Sequence, residues 1–92
     1  MIPRVARSSL KELIAAGLLT PGQRLVAIHR GARHTAEITA EGVVRVDGDG
    51  LFRSPSSAAG SITGHNTNGW QFWHIEQSGK PLADARPAPT DD

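Results

Sequence analysis

With 92 residues the chain has room for one domain and a shallow core, a scale suited to binding at a surface rather than to an elaborate catalytic centre. The absence of cysteine excludes a disulfide framework and a thiolate zinc site. The formal net charge of +1 hides an uneven distribution: residues 1–75 carry eight bases against five acids, and residues 76–92 carry two bases against four acids.

The opening stretch, Met1 to Arg7, followed by Ser8, Ser9, Lys11 and Glu12, offers no apolar run for a signal peptide or a membrane span. A cytoplasmic location with no membrane partner is expected, and residues 1–7 are expected to be flexible. Ser9-Leu10-Lys11-Glu12 has the form of a capping box, in which the serine hydroxyl accepts from the backbone amide three residues on while the glutamate reaches back. A helix over Leu10 to Ala16 follows, with Leu10, Leu13 and Ile14 on one face and Gly17 just past its end.

Pro21-Gly22 is a turn, and from Arg24 to Leu51 short β-rich runs separated by glycines predict an antiparallel meander. A two-residue turn at Gly31-Ala32 would pair Arg30 with Arg33 and His29 with His34, and would set Ala27 against Ala36. A three-residue loop, Ala40-Glu41-Gly42, would pair Thr39 with Val43, Ile38 with Val44 and Ala36 with Val46. Both turns put Leu25, Ala27, Ala36, Ile38, Val44 and Val46 on one apolar face, with Glu37 opposite Arg45 on the reverse. Ser54-Pro55 is a strong helix start, since the serine can cap and proline lacks only an amide hydrogen that would be unpaired there; Gly64 ends this second helix after Thr63. Gln71 to Ile75 reads as a final strand, and the Pro-, Ala- and Asp-containing remainder as a tail disordered from about Ser78. The fold class is therefore α+β, with a domain over residues 8–76 and a disordered tail over 77–92.

Signs of catalysis are weak. Ser56, His65 and Asp49 exist, but their spacing does not single them out as a triad, and no G-x-G-x-x-G or G-K-S/T run is present. His29 and His34, across a strand pair, are two ligands only, too few for a metal site. No catalytic residue, metal or cofactor is expected.

Three features suit binding. Trp70, Phe72 and Trp73 are three of only four aromatic residues and follow Asn66-Thr67-Asn68-Gly69 directly; in a strand they would divide between both faces, so one ring would line a surface or pocket unless all of them fill the core. The start of the second helix, with hydroxyls on Ser54, Ser56 and Ser57 and free amides at Ser56 and Ser57, suits a phosphate oxygen. Arg30 and Arg33 at a hairpin tip would grip a nucleic-acid backbone.

Taken in order, Leu10 to Leu19, Pro21-Gly22, Arg30-Gly31, Glu41-Gly42, Ser54-Pro55-Ser56-x-Ala58-Ala59, Gly64 and Asn68-Gly69-Trp70-x-Phe72-Trp73 resemble the RAMA domain, the restriction-enzyme adenine-methylase-associated module. The resemblance spans about Ser8 to Ile75 and extends to the C-terminal region of cell-cycle-regulated DNA adenine methyltransferases. It implies a DNA-binding accessory domain of restriction-modification systems, with recognition of modified DNA as the finer expectation, and it implies DNA-facing roles for Ser54, Ser56, Asn68, Trp70 and Trp73. With Arg30, Arg33 and Arg7 on phosphates, the expected ligand is DNA, double-stranded and methylated in the finer reading, with any methylase or nuclease supplied in trans. The other reading is a protein-interaction module that docks on a methylase, nuclease or signalling partner through its tryptophan face.

Overall fold

A computed structural model describes residues 9–48 and 50–85; the expected flexible start, Arg7, Asp49 and residues 86–92 lie outside the described residues. The fold is α+β, a five-stranded antiparallel sheet with short helices on one face. Helix α1, Leu10–Ala15, begins with the capping box read from the sequence: the Glu12 amide donates to Ser9 Oγ at 3.2 Å and the Ser9 amide to Glu12 Oε1 at 2.9 Å. It ends in a Schellman arrangement, with Gly17 N–H on the Ile14 carbonyl and Leu18 N–H on the Leu13 carbonyl. Leu10 and Leu13 are buried against the sheet.

The strands are β1 (Arg24–His29), β2 (Ala32–Ile38), β3 (Val44–Val46), β4 (Gly50–Phe52) and β5 (His74–Ile75), in the spatial order β4-β3-β2-β1-β5. The β2–β3 register is the expected one, with Ala36 opposite Val46, Glu37 opposite Arg45 and Ile38 opposite Val44. The β1–β2 register differs by two residues. Arg30 and Gly31 both have positive φ, 54° and 80°, so they form the two central positions of a type I′ turn and His29 pairs with Ala32. Arg33 consequently lies opposite Ile28 and His34 opposite Ala27, and neither the Arg30–Arg33 pair nor the His29–His34 pair forms. The shift is an even number, so the apolar face survives it: Leu25, Ala27, Ala36, Ile38, Val44 and Val46 are all buried. Gly42 closes the second hairpin at φ 82°, where an added Cβ would stand 2.8 Å from Lys11 Cβ, so this loop lies directly on α1.

Helix α2, Pro55–Thr63, has Ser54 as its cap and left-handed Gly64 as its end, as the sequence indicates. The expected final strand is mostly replaced by a one-turn helix α3, Gly69–Phe72, leaving β5 with two residues. An extended chain would put alternate aromatic rings on the open side of the sheet, whereas one helical turn gathers Trp70, Phe72 and Trp73 on the covered side, packed in or against the core. Order also extends past Ser78. Ile75 N–H donates to the Lys80 carbonyl, Pro81 bridges His74, and the 3₁₀ turn Leu82–Ala85 buries Leu82 completely with its amide on the Trp73 carbonyl. Composition argued for disorder there, but one leucine a hairpin's length from the aromatic block gains enough burial to hold the segment. No described helix is long and apolar enough to cross a membrane.

The reverse face of the sheet has three ion pairs, Arg24–Asp47 at 2.9 Å, Arg33–Glu76 at 3.0 Å and Arg45–Glu37 at 2.6 Å. Asp47 also accepts from the Thr35 hydroxyl, and this bond first and the Arg24 guanidinium second hold its carboxyl below the ordinary carboxylate value. A depressed folded value means that the Asp47 contribution to stability is present above the unfolded value, about 3.9, and is lost as pH falls through the folded one. Thr35→Val is expected to raise the Asp47 titration midpoint towards that of an unperturbed aspartate; carboxyl-carbon chemical shifts followed against pH check this, and an unchanged midpoint would contradict it.

Candidate functional site

The serine block and the tryptophan block, which are separate in sequence, close on each other. Ser54 caps α2 through its hydroxyl, which accepts from the Ser57 amide at 3.1 Å and donates to Ser57 Oγ at 3.1 Å. Ser56 Oγ accepts from the Gly69 amide at 3.0 Å, and Gly69 is buried so tightly that a Cβ on it would lie 2.0 Å from the Pro55 carbonyl carbon and 2.3 Å from the Ser56 nitrogen. Trp73, fully buried, donates its indole N–H to the Pro55 carbonyl at 3.2 Å, and Phe72 meets its ring edge-on at 5.2 Å between centroids. Asn68 caps α3 by accepting from the Trp70 amide at 3.1 Å.

This clasp changes what the start of α2 can do. The Ser57 amide is taken by Ser54, the Ala58 amide by the Ser54 carbonyl, and Gly69 packs directly over the Ser56 nitrogen. The free amides expected for a phosphate are therefore used or covered by the protein's own chain.

Between the outer side of α2 and the loop that follows it lies a cleft of about 320 Å³ lined by Ser56, Ser57, Gly60, His65, Asn66 and Thr67. The loop is held by its own hydrogen bonds. The hydroxyls of Thr63 and Thr67 lie 2.6 Å apart and each reaches the His65 carbonyl at 3.0 Å, while His65 Nδ1 lies 3.0 Å from the Asn66 carbonyl. A carbonyl oxygen only accepts, so Nδ1 carries the proton and, in the neutral ring, Nε2 is left as an acceptor.

The predicted site residues divide accordingly. Ser54, Ser56 and Asn68 belong to the clasp, and Ser56 also lines the cleft. Trp70 is half-buried against the core, and Trp73 is sealed inside it, which removes it from any surface in this conformation. Arg30 is exposed at the hairpin tip, whose neighbour His29 lies 6.0 Å from Phe72 between ring centroids. Arg33 points to the opposite side of the sheet and is paired with Glu76, so it does not join Arg30 or the clasp. Three residues bordering the cleft or the clasp were not singled out from the sequence: Arg53, exposed one position before the α2 cap, and His65 and Asn66 in the loop. Arg30 and Arg53 make no ion pair with another described residue, whereas Arg24, Arg33 and Arg45 all do. The signal for Arg53 was present as a cation adjoining the serine block; that for His65 and Asn66 was only the polarity of a loop. Among the described residues no group of three or more His, Cys, Asp or Glu side chains could hold a metal ion.

Residues 3–89 match the family described as RAMA, Restriction Enzyme Adenine Methylase Associated. The chain belongs to the RAMA family. That description ties the domain to restriction enzymes and adenine methylases, a restriction-modification setting. In this RAMA domain the two most distinctive sequence blocks are each other's partners. Gly69→Ala is expected to lower stability by about 3 kcal/mol, the upper end of overpacking costs, and Ser56→Ala by about 1–2 kcal/mol through an unsatisfied amide. Urea unfolding followed by tryptophan fluorescence measures both, and a Gly69→Ala protein as stable as the parent would show that the close approach does not exist.

Proposed function

We propose that this RAMA domain is a non-catalytic DNA-binding module whose contact surface is the helical layer around the clasp rather than the open sheet face. The observation that carries this reading is the closure of the tryptophan block on the serine block, whose Ser56 and Ser57 line a polar cleft, with Arg53, which pairs with no described acid, directly before the α2 cap. Arg53 and the hairpin-tip Arg30 supply cationic contacts to phosphates, and the open face offers few because its arginines are already neutralised by Asp47, Glu76 and Glu37. Ser54, Ser56, Asn68 and Trp73 serve the ligand indirectly, by building the surface. A preference for methylated DNA, the finer form of the reading, gains only about 0.8 kcal/mol from burying one methyl group, so a discrimination of about fourfold is expected from that source alone.

The second reading, docking on a methylase, nuclease or signalling protein, draws on Ile28 and Leu51, which are 66% and 64% exposed on the open sheet face. Salt dependence separates the two. With two or three phosphates contacted, the slope of log affinity against log salt for a labelled duplex is expected to be about −2 to −3. Arg53→Ala and Arg30→Ala are each expected to reduce its magnitude by about 0.9, with Arg33→Ala leaving it unchanged. Duplex binding indifferent to salt, or absent in the folded protein, would remove the DNA reading.

A further inference from the structure

The cleft beside α2 has a chemical character that narrows its ligand. Its lining residues, Ser56, Ser57, Gly60, His65, Asn66 and Thr67, are polar or glycine throughout, with no carboxylate, lysine or arginine among them. A phosphate in such a place would lack a cation, and the helix amides that might have replaced one are used or covered within the clasp. An apolar ligand would leave the Asn66 carboxamide and His65 Nε2 without partners. A neutral ligand rich in donors and acceptors satisfies both conditions, and the volume of about 320 Å³ falls at the small end of small-molecule sites.

Shape narrows it further. Base edges inside a duplex are reached by elements that project into a groove. This site is concave, so the base must come to the protein. The loop is held before any ligand arrives, by the Thr63, Thr67 and His65 bonds on one side and the Ser56–Gly69 bond on the other, so little ordering is left for the binding step.

We infer that the cleft takes up one unstacked nucleobase of bound DNA, with the Asn66 carboxamide and His65 Nε2 on its hydrogen-bonding edge and Arg53 on a flanking phosphate. This rests on the DNA-binding reading and assigns it a nucleotide subsite. A carboxamide spans the donor–acceptor pair of an adenine edge, and the acceptor at His65 Nε2 suits an exocyclic amine. Taking a base from the stack is cheapest where it is already unpaired.

The test compares two labelled DNAs by fluorescence anisotropy at one salt concentration, a fully paired duplex and the same duplex carrying one unpaired adenine. The parent protein is expected to bind the second about tenfold more tightly. Asn66→Ala, a change at an exposed position, and Gly60→Leu, whose Cβ would point to the His65 carbonyl oxygen 3.3 Å away and crowd the cleft, are expected to bring the ratio close to one. Neither change removes a cation, so both are expected to leave the salt slope unaltered. If Gly60→Leu fails to fold, as thermal melting would show, the Asn66→Ala ratio alone decides. Equal binding of the two DNAs by the parent, or a tenfold ratio that persists in Asn66→Ala, overturns the nucleobase assignment while leaving salt-dependent duplex binding in place. Failure to bind either DNA overturns the assignment together with the reading beneath it.

Discussion

The approach of Gly69 to the first turn of α2 governs the arrangement of the helical layer. No other residue leaves room for the Pro55 carbonyl at this distance, and the contact is fastened by two hydrogen bonds of different kinds, Gly69 N–H to the Ser56 hydroxyl and the Trp73 indole N–H to the Pro55 carbonyl. From it follow the place of α3, the burial of Trp73, the docking of Leu82 through its amide on the Trp73 carbonyl and the span of the 64–68 loop. A domain of this size has few large side chains to spend, so one tryptophan serves as both core filler and tie. The most distinctive residues of the sequence, Ser54, Ser56, Gly69 and Trp73, are tied by hydrogen bonds into the frame of this layer.

Electrostatics sort the cations in the same way. Surface ion pairs contribute little to stability, yet they decide which guanidiniums remain available to an anionic partner. The open sheet face has its Arg24, Arg33 and Arg45 matched one to one with acids, and the Thr35 hydroxyl strengthens the most connected of these acids. Arg30 and Arg53 stay outside this pairing, one within a left-handed turn and one directly before a helix cap. Net charge therefore says less about a nucleic-acid partner than the distribution of pairing does.

Much of the fold was legible from local chemistry. Ser9 with Glu12 specified the start of α1, Ser54-Pro55 and Gly64 bounded α2, and the Gly42 loop fixed the β2–β3 register. Each of these signals acts within a few residues. The hairpin at Arg30-Gly31 departs from the expected register because its type I′ turn places an arginine at positive φ, a conformation that an arginine in the sequence does not advertise. The helix at Gly69–Phe72 depends on Ser56, 13 residues away, and the burial of Leu82 on its docking at Trp73, nine residues away, and no local pattern carries that information. The same limit applies to the site: both sequence blocks were visible, but their mutual contact, and hence the exposure of His65 and Asn66 in place of Trp73, was not.

The sheet's borders are also shaped by short pieces. One edge is the three-residue β4 and the other the two-residue β5, beyond which Pro81 bridges His74 without an amide hydrogen to offer. A newcomer strand meets almost no continuous ladder on either side. Growth by edge-to-edge addition is thereby blocked in the backbone itself, so the domain can be crowded against its own copies without joining them into a continuous sheet.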